Sequence, residues 1–123
     1  MKIEVSNGEI IDKLTIVSIK LGRIHDSAKR ENLQKEFEIL KEASGSIMDS
    51  DDPLFKALYE VNCRLWDIED RIREFERKKD FGEGFISVAR EVYFNNDLRA
   101  EIKREINIRT SSGLTEEKSY GKY

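Results

Sequence analysis

The stretch LFKALYEVNCRLWDIEDRIREF, residues 54–75, decides the fold. Leu54, Leu58, Val61, Leu65, Ile68, Ile72 and Phe75 recur at alternating steps of four and three. That is the spacing of a seam along one side of an α-helix, and no polar residue interrupts it. Tyr59 and Trp66 flank the seam and widen the face expected to be buried. The pattern predicts a helix over residues 53–79, roughly 40 Å long at the usual rise per residue. Asp49, Asp51 and Asp52 precede it and suit the positive end of a helix dipole, and Pro53 suits a first helical turn.

Upstream, Ser6 and Glu9 stand in the capping-box relation, so a first helix is expected over residues 7–24. Its stripe is Ile10, Leu14, Val17, Leu21 and Ile24, while Ile16 and Ile19 lie on the opposite side, flanked by Asp12 and Arg23. A helix that is apolar on two faces is buried on two faces. Either it is sandwiched within the domain or its second face meets another chain. Asp26 or Ser27 caps a second helix over residues 28–43, with a stripe of Leu33, Phe37 and Leu40 and an otherwise charged surface. Ile3 and Val5 predict a short extended segment lying on the bundle.

Downstream, residues 80–84 form a turn. A fourth helix over residues 83–109 repeats the four-three spacing through Phe81, Phe85, Val88, Val92, Asn95, Arg99, Ile102 and Ile106. Asn95 and Arg99 put polar groups inside that stripe, and Asn95-Asn96-Asp97 offers a place for the helix to break. After Thr110 the composition changes, and residues 111–123 read as a flexible or loosely docked tail.

Composition limits the function. Of 123 residues 38% are charged, with 22 basic against 25 acidic side chains and a net charge of -3, a balance unlike the basic surplus of nucleic-acid binders. The single Cys63 and single His25 leave no zinc site built on those ligands and no Ser-His-Asp triad away from His25. His25 reads as an ordinary turn residue. Di-iron bundles need Glu-x-x-His pairs, which are absent. Glu9/Asp12, Asp49/Asp52, Asp67/Asp70 and Asp80/Glu83 have the spacing of magnesium-binding carboxylates on helices, but with 25 acids in 123 residues chance supplies as many. No Gly-rich phosphate loop is present, and Gly82-Glu83-Gly84 is a turn signal. Lys13, Lys20, Arg23, Arg64, Arg71 and Arg99 are the residue types with which helical chorismate-mutase-type enzymes grip a dianion. A chain this rich in basic residues supplies such a set by accident.

Polar residues beside the seams are the remaining candidates. Asn62 and Glu69 lie seven apart on helix 3, Arg64 and Arg71 lie seven apart on its other edge, and Asn95 and Arg99 lie within the stripe of helix 4. With helices 3 and 4 antiparallel, Glu69 and Arg99 are expected to meet. A charge removed from water needs such a partner. The arrangement serves either to fix helix register or to form a pocket for an anionic or amide-bearing ligand.

The opening MKIEVSNGEIIDKLTI (residues 1–16), the central LWDIED (residues 65–70) and EEKSY near the end (residues 116–120) resemble an uncharacterised family of short helical bacterial and phage proteins. The resemblance covers nearly the whole chain. It implies a free-standing domain in a bacterial or viral setting, and it transfers no activity, cofactor or site residue.

The expectation is an all-α, four-helix antiparallel bundle over residues 1–110, with helices 1, 3 and 4 at its core. Its expected function is that of a cytoplasmic, non-catalytic binding or assembly module acting through helix–helix contacts, self-associating as a homodimer or meeting a protein partner. No nucleic acid, membrane, metal or cofactor is expected. The alternative is a binding protein for a small anion, or a metal-independent enzyme, with a pocket at Asn62, Glu69, Asn95 and Arg99.

Overall fold

The computed structural model describes all residues from Met1 to Tyr123. Four helices follow one another: α1 (Asn7–Arg23), α2 (Ser27–Ser44), α3 (Pro53–Arg77) and α4 (Glu83–Arg109), with no strand. Their starts are set by side chains that accept from otherwise unpaired amides. Ser6 Oγ accepts from Glu9 N at 3.2 Å, Asp26 from Lys29 N at 2.9 Å and Asp52 from Leu54 N at 2.9 Å. Only half of the expected capping box forms at α1, because the Glu9 carboxylate turns to Lys103 (2.7 Å) and Lys13 (3.3 Å).

The bundle is antiparallel but uneven. Ile11 of α1, Leu58 and Val61 of α3, and Ile102 and Ile106 of α4 close one core cluster. Leu14 and Val17 of α1 with Leu33 of α2 form a second. α2 packs on α1 without reaching α4, so α1 is covered from three sides. Ile19 is accordingly buried and Ile16 half-buried within the chain. The second apolar face of α1 is thus sandwiched inside the domain, which takes away the sequence reason for placing another chain against it. Only 18 of 123 residues are buried, since α2 rests on one neighbour and the far ends of α3 and α4 rest on each other.

The α3 seam faces the core as predicted. Leu58, Val61 and Ile68 are buried, and Leu54, Leu65, Ile72 and Phe75 are half-buried. Tyr59 stays exposed, while Trp66 is half-buried beneath the Arg23 guanidinium, 5.6 Å from the ring centre. The place for a break at Asn95-Asn96-Asp97 is not used, and α4 runs through it. Asn95 Nδ2 donates to the Glu91 carbonyl at 2.8 Å and its Oδ1 accepts from Arg64 Nε at 3.1 Å, so its polar groups are used without interrupting the helix. The N-terminal segment forms no strand and Ile3 remains exposed, so the expected packing of Ile3 on the bundle is not made.

Past the point where Arg23 of α1 pairs with Asp67 (2.6 Å), α3 and α4 continue as a two-helix arm. Arg71–Glu91 (3.3 Å) links them along its edge, and Phe75, Phe81 and Phe85 stack edge-to-face at its tip. Residues 111–123 carry no helix or strand and fold back along α4.

Candidate binding site

Helix α1 places Asp12 on the same face as Gly8, Thr15 and Ile19. That face is covered, and Asp12 is only 1% exposed. A buried carboxylate requires partners. Its Oδ1 accepts from Asn62 Nδ2 of α3 (2.9 Å) and from Arg99 Nε of α4 (2.9 Å), and its Oδ2 accepts from Arg99 Nη2. The Arg99 fork is therefore bidentate, the strongest geometry for this pair. Asn62 Nδ2 also donates to Thr15 Oγ1 at 2.9 Å, and that hydroxyl donates to the Asp12 carbonyl at 2.7 Å. Because a carboxylate only accepts, the Asn62 amide must turn its nitrogen to Asp12 and its oxygen away.

One turn further along α4, Lys103 Nζ meets Glu9 at 2.7 Å, Glu116 at 3.2 Å and Asp12 at 3.9 Å. A turn beyond that, Asn107 Oδ1 accepts from Gly8 N at 2.6 Å, and Asn7 N donates to Ser112 Oγ at 3.0 Å. The free amides at the start of α1 are thus taken up by α4 and the segment after it.

The charges shift accordingly. Burial pushes the Glu9 carboxyl up, but the Lys103 ammonium and Lys13 outweigh it and hold the group at about 2. Burial depresses Lys103, yet its bond to Glu9 and the charge of Asp12 leave it raised overall. The bond to Asp12 raises Arg99.

The four candidate residues separate. Glu69 pairs with Arg73 on its own helix at 3.0 Å, and Arg99 pairs with Asp12, so the expected Glu69–Arg99 pair does not form. The physical reason is competition: a fully buried carboxylate on α1 takes the guanidinium before an exposed one on α3. Asn62, Glu69 and Arg99 still share one open groove of about 560 Å³ with Ile16, Leu65 and Trp66. Asn95 lies outside it, and Asn96 lines the groove instead. No bond within the chain reaches Asn62 Oδ1 or Arg99 Nη1, and neither atom is closed off from the surface. Of the basic residues considered for gripping a dianion, only Lys20 joins Arg99 there. Arg23 turns to Asp67, Arg64 to Asn95, Arg71 to Glu91 and Lys13 to Glu9.

Asp12 and Lys103 were missed from sequence. The signal was present in α1: Asp12 and Thr15 share a face with Ile19, so a helix covered on two sides leaves them no route to water. Lys103 follows Arg99 by one turn on α4 and completes the same ladder.

Residues 1–122 match a family of unknown function, DUF6165. The chain belongs to that family. The match takes in α1 to α4 and all of the segment after them but Tyr123, so the polar cluster with Glu116 and Glu117 lies within the DUF6165 span. Neither a curated protein nor a solved structure matches the chain. No helix is long and apolar enough to cross a membrane.

Proposed function

We propose that this chain is a non-catalytic assembly module that pairs with a second copy of itself through the α3–α4 arm. The observation carrying this reading is the layer missing from the arm. Two helices alone cannot bury their apolar stripes, and packed domains supply a further layer. In the body α1 is that layer. In the arm Ile72, Phe85 and Val92 remain half-buried, and Phe81 is 51% exposed. Two arms laid against each other about a two-fold axis make a four-helix bundle from identical halves, with the same surface used on both copies. Light scattering on a concentration series tests the reading. The expected result is twice the chain mass at high concentration, reverting to monomer in Phe81→Glu/Val92→Glu. A parent protein that stays monomeric throughout would overturn it.

A second reading rests on the two unbonded atoms of the groove. Arg99 Nη1 is free to donate to a carboxylate and Asn62 Oδ1 to accept from an N–H or O–H, both beside the apolar wall of Leu65 and Trp66, a setting for a small carboxylate that has an apolar body and a hydrogen-bond donor. Hydroxy- or amino-substituted arylcarboxylates then raise the melting temperature of the parent and leave that of Trp66→Ala unchanged. Equal effects on both proteins would sink it.

A further inference from the structure

After Thr110 the chain reverses through Ser111, whose φ is 52°, and runs back over the outer side of α4. It is held at two places. At the first, Glu116 accepts from Lys103 Nζ and, at 3.3 Å, from Ser6 Oγ, while both oxygens of Glu117 accept from Arg104 Nη1 at 2.9 Å. At the second, the Tyr123 ring sits 5.4 Å from Tyr93 and 4.9 Å from Phe94, and its hydroxyl donates to Asp97 at 2.5 Å. Between these points the segment bridges an open groove of about 740 Å³ over Ala100 and Asn107.

Lys103 and Arg104 are the cations of α4 that meet the tail, and the adjacent carboxylates of Glu116 and Glu117 pair with them one to one. The two halves differ in permanence. Lys103, Arg104, Tyr93 and Phe94 stand on a continuous helix, whereas every residue from Gly113 onward is exposed. Exposed ion pairs contribute well below about 1 kcal/mol each, so the tail is held by a small margin on a preformed surface.

We propose that this side of α4 is a docking site for an acidic peptide that carries an aromatic residue downstream of its carboxylates. Two adjacent carboxylates take Lys103 and Arg104, and a tyrosine about six positions later takes the Tyr93–Phe94 edge. The chain's own residues 116–123 are the resident occupant, and a partner segment of the same chemistry displaces them. The proposal does not depend on pairing through the arm, because the two surfaces use different residues.

A short tether holds its end at an effective concentration in the millimolar range. A tail that stays docked therefore implies a free-peptide affinity at or below that range. The experiment uses the full-length chain and a synthetic peptide of residues 113–123, followed through the backbone amide signals of Tyr93, Ala100 and Arg104. The variant Glu117→Lys/Tyr123→Ala releases the tail at both points, and its melting temperature checks that the fold is intact. The peptide is expected to bind this variant of order tenfold more tightly than the parent, since the competing tether is gone. Adding Arg104→Glu, or replacing both peptide glutamates by lysine, should abolish the binding. Equal affinity for parent and released variant would overturn the proposal. So would undiminished binding of the lysine peptide, or full displacement of the peptide by an equal concentration of inorganic phosphate.

Discussion

Asp12→Asn is the most informative single change. It keeps the shape of the side chain and removes its charge. The half-buried Arg99 guanidinium, whose side chain is 30% exposed, then loses its counter-charge. Asn62 keeps an acceptor in the new amide oxygen, but Arg99 keeps at most one of its two bonds. Removing one member of a fully buried pair costs about 3–5 kcal/mol. Partial access of Arg99 to water lowers this, so a loss of about 2–3 kcal/mol is expected. For a domain of this size that corresponds to a melting temperature lower by roughly 10 °C.

Arg99→Met should cost at least as much, because it strands a carboxylate that is 1% exposed. Lys103, 3.9 Å away, replaces only part of the lost interaction. The double variant isolates the pair. Its loss should be smaller than the sum of the single losses by about 2 kcal/mol. Urea unfolding followed by circular dichroism at 222 nm measures all three. Additive losses, or an Asp12→Asn cost below about 1 kcal/mol, would refute the view that Asp12 and Arg99 act as one buried unit.

Two glycines of α1 should respond with opposite signs. A Cβ on Gly8 would lie 2.5 Å from the Lys103 carbonyl oxygen and 3.0 Å from Asn107 Oδ1, so Gly8→Ala forces α1 and α4 apart and is expected to cost about 2 kcal/mol or more. Gly22 has open space around it, so Gly22→Ala should stabilise by about 0.5–1 kcal/mol, and thermal melting distinguishes the two. Acid should weaken the same junction. Glu9 is held at about 2 in the fold against an ordinary 4.5, so the unfolded chain binds its proton first as pH falls. The stabilisation is complete above about pH 5 and is lost between about pH 4.5 and 2, whereas Glu9→Gln should flatten that part of the profile of melting temperature against pH.

Much of the fold was legible because a long helix declares itself through a repeat. The α3 seam ran unbroken over seven apolar positions, and packing followed it. The polar partners were harder to read. Spacing along one helix shows which side chains share a face, but not which helix arrives opposite. Glu69 and Arg99 were plausible as a pair for two neighbouring helices, and α1 intervened with Asp12. Asn95 looked like a helix break because asparagine competes for backbone bonds. Here its amide bonds back to Glu91 and across to Arg64, which satisfies it inside the helix. The docking of the tail had no repeat to announce it, since isolated contacts of Glu116, Glu117 and Tyr123 leave no period in the sequence.

The polar ladder raises a question of register that charge alone does not answer. Arg99, Lys103 and Asn107 step by four along α4, opposite Asp12 and Gly8, which step by four along α1. If α4 slid by one turn, Lys103 would replace Arg99 at Asp12, and a cation would still meet the carboxylate. What forbids the slip is the lower end of the ladder. Gly8 is the one position where the α1 backbone approaches the Lys103 carbonyl so closely that no side chain fits, and its amide is matched to Asn107. Sliding α4 would move Asn107 from that amide and uncover Ile102 and Ile106 from Ile11. Buried charge thus makes the three-helix junction costly to open, while a missing side chain at Gly8 sets which turn of α4 it closes on. By that reasoning Gly8→Ala should be worse than one added methyl group suggests, because it disturbs the contact that chooses the register and leaves Asp12 to pair with either cation.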